Sequence, residues 1–95
     1  MSLEKLVSKY IVSAEHVFKV MQVTDRVPSI SFSSINHIIS LARDYLEDAK
    51  YYRDRNQLEV SLASIAYCEG LLDALRLLGM VRFEWPKTVE NEKSS

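Results

Sequence analysis

LEVSLASIAYCEGLLDALRLLG, residues 58–79, is the stretch that decides the fold. At 100° per residue it reads as a helix with apolar side chains on nearly every side. A helix of that kind belongs at the centre of a bundle, with neighbours on at least two sides. Val60, Ala63, Tyr67, Gly70, Leu71, Ala74 and Leu78 form one apolar face, and Ile65, Cys68, Leu72 and Leu75 form a second. A narrow polar strip, Glu69, Asp73 and Arg76, runs between them. Two coverings fit this pattern. Both faces meet the chain's other helices while the strip looks out to solvent, or part of the second face is left for another subunit or a protein partner.

Gly70 sits inside this helix, where glycine costs about 1 kcal/mol relative to alanine. With Ala63, Ala66 and Ala74 it makes a smooth stripe that a neighbouring backbone can approach closely; a ligand against the bare backbone is the alternative. On the packing reading Leu71 is a core leucine, and Gly70→Leu overpacks the contact. Glu69 and Asp73, four residues apart, repel each other unless a cation intervenes, and Arg76 can supply one. The three residues are the candidate binding strip, as a local ion pair or as a carboxylate pair for a basic partner. No metal is expected, because a metal wants more ligands than this helix offers and no His-x-x-x-His or Glu-x-x-His spacing accompanies it. Cys68 has no histidine at a helical contact spacing and is expected to be a buried, inert thiol.

Working outward, Asn56 tolerates the left-handed conformation that ends a helix and also suits an N-cap, with Glu59 completing a capping box. A turn this short makes an antiparallel hairpin with the preceding helix. In that helix Ile35, Ile38, Ile39, Leu41, Ala42, Tyr45, Leu46, Ala49 and Tyr52 fall on one arc. Ser31 or Ser33 caps its start, with Ile30 and Ile35 as a hydrophobic staple. Arg43–Glu47 and Glu47–Lys50 have ion-pair spacing on its polar side. The first helix carries Leu3, Leu6, Val7, Tyr10, Ile11, Ala14, Val17, Phe18 and Met21 at three- and four-residue steps, with Ser2 as N-cap. Val12, Val20 and Val23 fall outside its arc. Pro28 ends it by about Thr24. Gly79 closes the third helix, and MVRFEW (80–85) is a short alternating segment placed to cover one end of the bundle. The expected fold is all-α, a three-helix up-down-up bundle with helices near 3–23, 32–54 and 57–78. Residues 1–85 form the single domain and 86–95 a polar, disordered tail. Tyr45, Tyr52 and Tyr67 fall at core phases and Tyr51 outward; His16 and His37 lie on polar faces.

Composition narrows the function. Hydrophobic residues are 47% and charged residues 26%, with a net charge of −1, an ordinary globular balance without the basic patch of a nucleic-acid binder. One cysteine excludes an internal disulfide and suits a reducing compartment. Charges at Glu4, Lys5 and Lys9 break the N-terminal apolar runs, so neither a signal peptide nor a membrane span is expected. Gly70 and Gly79 are the only glycines, which rules out a phosphate-cradling loop, and no nucleophile elbow, Cys-x-x-Cys pair or zincin helix is present.

One longer segment carries a resemblance. SLARDYLEDAKYYRDRNQLEVSLASIAYCEGLLDALRLLG (40–79) resembles the core of a short archaeal family known as domain of unknown function 357. The carrying features are Asp-Ala-Lys-Tyr-Tyr at 48–52, the turn into Leu58, Ala66-Tyr67-x-Glu69-Gly70-Leu71-Leu72-Asp73-Ala74 and the closing Leu78-Gly79. Family members commonly have glycine at the hairpin turn, where this chain has Asn56. The resemblance implies a small cytoplasmic helical bundle of unassigned function. In some archaeal chains a similar segment is joined to a nucleotidyltransferase-like domain. It assigns no functional residues.

The expectation is therefore a non-catalytic, cytoplasmic module that acts by protein–protein contact, as a homodimer or with another protein, with no cofactor, nucleic acid or membrane involved. Its partner face would be Ile65, Cys68, Leu72 and Leu75. The alternative is a helical partner or ligand-binding accessory of a nucleotidyltransferase-type enzyme. Helical nucleases of that association carry an arginine followed four to six residues later by a histidine, a spacing that neither His16 nor His37 satisfies.

Overall fold

The structure is a computed structural model, described here for residues 2–23 and 31–86. Three helices dominate it: α1 (Leu3–Val20), α2 (Phe32–Asp54) and α3 (Leu58–Leu77). Side-chain contacts fix their directions. Lys50 reaches Glu15 while Arg43 lies over Phe18, so α1 and α2 are antiparallel. Ser61 bonds Ala49 while Tyr67 stacks on Tyr45, so α2 and α3 are antiparallel as well. The result is the expected up-down-up bundle.

The helix ends follow from local chemistry. Ser2 caps α1 by accepting from Lys5 N at 3.1 Å. Of the two candidate caps for α2 the structure uses Ser31, which accepts from Ser34 N at 3.1 Å. Ile30 of the expected staple, and Pro28, lie outside the described residues. Both α2 and α3 end in the same motif. Asn56 (φ 60) and Gly79 (φ 79) hold the left-handed position. In each case the following amide reaches back to the third residue from the helix end, Gln57 N to Tyr52 O and Met80 N to Leu75 O, both at 2.9 Å. The expected capping box at Asn56 does not form. Asn56 is committed to ending α2, Gln57 starts α3, and no side chain caps it.

Two features depart from the expected boundaries. α1 stops at Val20, and Met21 turns extended. Gln22–Val23 (β1) then pairs antiparallel with Val81–Arg82 (β2), with Gln22 opposite Arg82 and Val23 opposite Val81. Val23 and Val81 are β-branched and suit extended backbone. The 80–85 segment thereby becomes a strap whose Met80, Val81 and Phe83 enter the core. Residues 87–95, most of the expected tail, lie outside the described residues.

The core takes Val7, Ile11, Ala14 and Val17 from α1; Ile35, Ile39, Ala42, Leu46 and Ala49 from α2; and Ile65, Cys68, Leu72 and Leu75 from α3. Ser61 is its one buried polar side chain among the described residues, and its hydroxyl donates to Ala49 O at 2.6 Å. That bond removes the cost of burying a hydroxyl where α2 and α3 meet. Lys50 Nζ contacts Glu15 at 2.9 Å and Glu47 at 3.3 Å, joining α1 to α2. Arg43 does not pair with Glu47 in the expected way; its guanidinium lies 4.6 Å from the Phe18 ring centroid. No helix among the described residues is long and apolar enough to cross a membrane.

Candidate functional site

The polar strip of α3 is engaged within the chain. Asp73 Oδ1 accepts a 2.6 Å hydrogen bond from Trp85 Nε1, tying the end of the strap to α3. Arg76 Nε is buried 3.8 Å from the same oxygen, too far for a hydrogen bond, and its guanidinium stands 5.7 Å from the Phe83 ring centroid. Phe83 and Trp85 meet edge to face at 5.2 Å. Asp73 and Arg76 therefore seat the strap while staying partly open to solvent. Glu69 lies beside them in a recess of about 350 Å³ lined by Lys9, Tyr10, Ser13, Asp73, Trp85 and Pro86. Burial, and then the neighbouring Asp73 charge, hold its carboxyl above the ordinary value of 4.5. The structure does bring Glu69, Asp73 and Arg76 together, around the aromatic strap. Among the described residues no group of three or more His, Cys, Asp or Glu side chains is placed to hold a metal ion.

The two apolar faces of α3 are arranged oppositely to the expectation. Ile65, Cys68 and Leu72 are fully buried and Leu75 nearly so, all in one cluster with α1 and α2. They are core, and the chain itself covers the expected partner face. The Cys68 thiol, buried and near Glu69, is pushed up to about 12. Instead it is the other face that looks outward. Tyr67 is 64% exposed, Leu77 79%, Leu78 64% and Val60 46%. Ala63, Ala66, Gly70 and Ala74 are exposed between them, and Leu71 is only half-buried. Tyr67 was expected in the core. It lies outside, with its ring stacked on Tyr45 at 5.3 Å, so the apolar surface continues onto α2, where Leu41 is also exposed.

Gly70 does not serve a close approach between helices. A Cβ built there meets nothing within 4 Å. It forms the floor of an open groove of about 480 Å³ lined by Ala63, Ala66, Tyr67 and Leu71. One charged residue, Glu59, shares this outward arc, at its N-terminal end.

The reversal has a signal in the sequence. Large branched side chains (Ile65, Leu72, Leu75) fill space between helices, whereas the middle of the outward face is only Ala63, Ala66, Gly70 and Ala74, with its larger side chains at the edges and ends. Side-chain volume, and not polarity, distinguishes the inward face.

A family model described as "Protein of unknown function (DUF357)" matches residues 9–81, most of the chain, with α2 and α3 whole and α1 from Lys9 on. The chain belongs to this family. Its helical hairpin and the groove floor at Gly70 both fall inside the matched region. No curated protein and no solved structure matches the chain.

Proposed function

We propose that this DUF357 protein is a non-catalytic helical module that acts by protein–protein contact through the outward face of α3. The observation that carries this reading is the exposure of Val60, Tyr67, Leu77 and Leu78 around the bare groove at Gly70, on a helix whose opposite side is core. The largest apolar patch on a monomer is ordinarily ~300–600 Å² and often functional, and larger ones mark interaction sites. Tyr67 adds a rigid aromatic of the type that dominates interface energetics. Two titratable side chains of α3, Asp73 and Arg76, are occupied in holding the Phe83–Trp85 strap, which gives them a structural task. Its single buried, free cysteine fits a reducing compartment, which supports a cytoplasmic role in this reading.

The test is site-specific photo-crosslinking in cells of the source organism. A crosslinking phenylalanine analogue at Leu77 should yield a protein adduct, and the same analogue at Val12, exposed on α1, should not. A Leu77 position that crosslinks to no protein, or both positions giving the same products, would sink the reading.

A further inference from the structure

The occupant of the α3 face can be named. Resting on the docking reading above, we infer that it is a second copy of this chain, packed with the two α3 helices antiparallel about a twofold axis. The groove and its filler belong to the same surface. Tyr67 projects from α3 one turn from Gly70, where a Cβ would meet nothing within 4 Å. A twofold axis crossing α3 midway between these residues sets Tyr67 of each copy over Gly70 of the other. The same operation sets Ala63 against Ala74 and Val60 against Leu77. Isologous pairing demands this kind of self-complementary patch, a projection and a hollow symmetric about one point.

Charge selects the antiparallel arrangement. Glu59 is the one charged residue on the outward arc, in the first turn of α3. Parallel helices would bring two such carboxylates together. Antiparallel helices place them at opposite ends of the contact and oppose the helix dipoles. The net charge of −1 adds little repulsion between copies.

The area is adequate. An aromatic side chain carries ~150–250 Å². With exposures of 64% for Tyr67, 79% for Leu77, 64% for Leu78 and 46% for Val60, and the alanines and glycine between them, α3 presents roughly 500–600 Å² of apolar surface per copy. Leu41 and Tyr45 extend it onto α2. Pairing two such faces buries at most roughly 1,000–1,200 Å² in total, at the lower boundary of specific association. An interface at this boundary is that of a weak, reversible dimer, so its mass depends on concentration.

Sedimentation equilibrium of the full chain from about 1 µM to about 500 µM reads this directly. The wild type should rise from the 10.9 kDa of one chain to twice that mass. Tyr67→Glu, which buries a carboxylate at the axis, and Gly70→Leu, which fills the hollow, should each weaken association by at least ~100-fold and stay at the single-chain mass. Val12→Glu, on α1, should match the wild type. Gly70→Leu has space in the isolated chain, so it decides the matter if Tyr67→Glu fails to fold. A wild type that stays at one chain mass throughout overturns the inference, as does a dimer that persists in both variants. The crosslink from Leu77 separates this failure from that of the docking reading. A monomer whose Leu77 captures a different protein refutes the second copy and leaves the module. A monomer whose adduct lies within its own chain, or which gives none, refutes both.

Discussion

Gly70→Ala is the substitution on which the assignment of the two α3 faces turns. If α3 were covered on both sides, a methyl group at position 70 would meet a neighbouring helix and cost stability. In the structure a Cβ there has nothing within 4 Å, and the residue is exposed in the interior of a 20-residue helix. The added methyl therefore acts only through the backbone. It narrows the unfolded ensemble and removes glycine's helix penalty, a gain of up to about 1 kcal/mol. A chain of 95 residues, at ~2.1 cal/mol/K per residue, has an unfolding entropy of roughly 0.2 kcal/mol/K, so the gain corresponds to a Tm about 5 °C higher. The assay is thermal unfolding followed by far-UV circular dichroism at about 1–2 µM, low enough that association contributes little. Urea unfolding should show a higher midpoint with an unchanged m-value. Gly70→Leu should also gain at this concentration, where an overpacked site would lose about 1–3 kcal/mol. An unchanged or lower Tm for Gly70→Ala would refute the reasoning, because it would mean that something packs on the groove floor within the single chain.

Three further outcomes follow from burial and electrostatics. Leu72→Ala should cost about 2–5 kcal/mol because Leu72 is fully buried, whereas Leu71→Ala, at a half-buried position, should cost less than half as much; equal losses in denaturant unfolding would contradict the assigned faces. Burial raises the folded-state pKa of Glu69 above 4.5, so the folded chain binds that proton first and its penalty is present at neutral pH and lost as pH falls towards 4.5; Glu69→Gln should be the more stable protein at pH 7 and should lose its advantage below about pH 4.5, and an advantage unchanged over that range would argue against a desolvated carboxylate. Cys68, with its thiol pushed up to about 12, should react with a thiol reagent only as fast as the core opens, and fast labelling of the native chain would place it outside the core.

The sequence makes some of this fold legible and conceals the rest for physical reasons. Helix ends are written locally. Ser2, Ser31, Asn56 and Gly79 each act through their own side chain or backbone preference, and each does what its chemistry indicates. The inward face of α2 is equally clear, because Asn36, Arg43, Asp44, Glu47 and Asp48 oppose it with charge and amide groups. The rotation of α3 is not, because its two faces differ in size and scarcely in polarity, and a polarity pattern has nothing to register. Its polar strip misleads in the same way. The strap contacts of Asp73 and Arg76 are hidden because their partners, Trp85 and Phe83, lie twelve and seven residues further along, on a segment without helical period. The one internal clue is glycine's cost. A chain that keeps Gly70 in mid-helix gives up about 1 kcal/mol, and among the described residues nothing lies within 4 Å of a Cβ built there to require it. In the inferred dimer, the same missing side chain that weakens the monomer is the hollow for a second copy's Tyr67, so Gly70→Ala should raise Tm at low concentration and weaken self-association at high concentration, an opposition that a purely structural glycine would not produce.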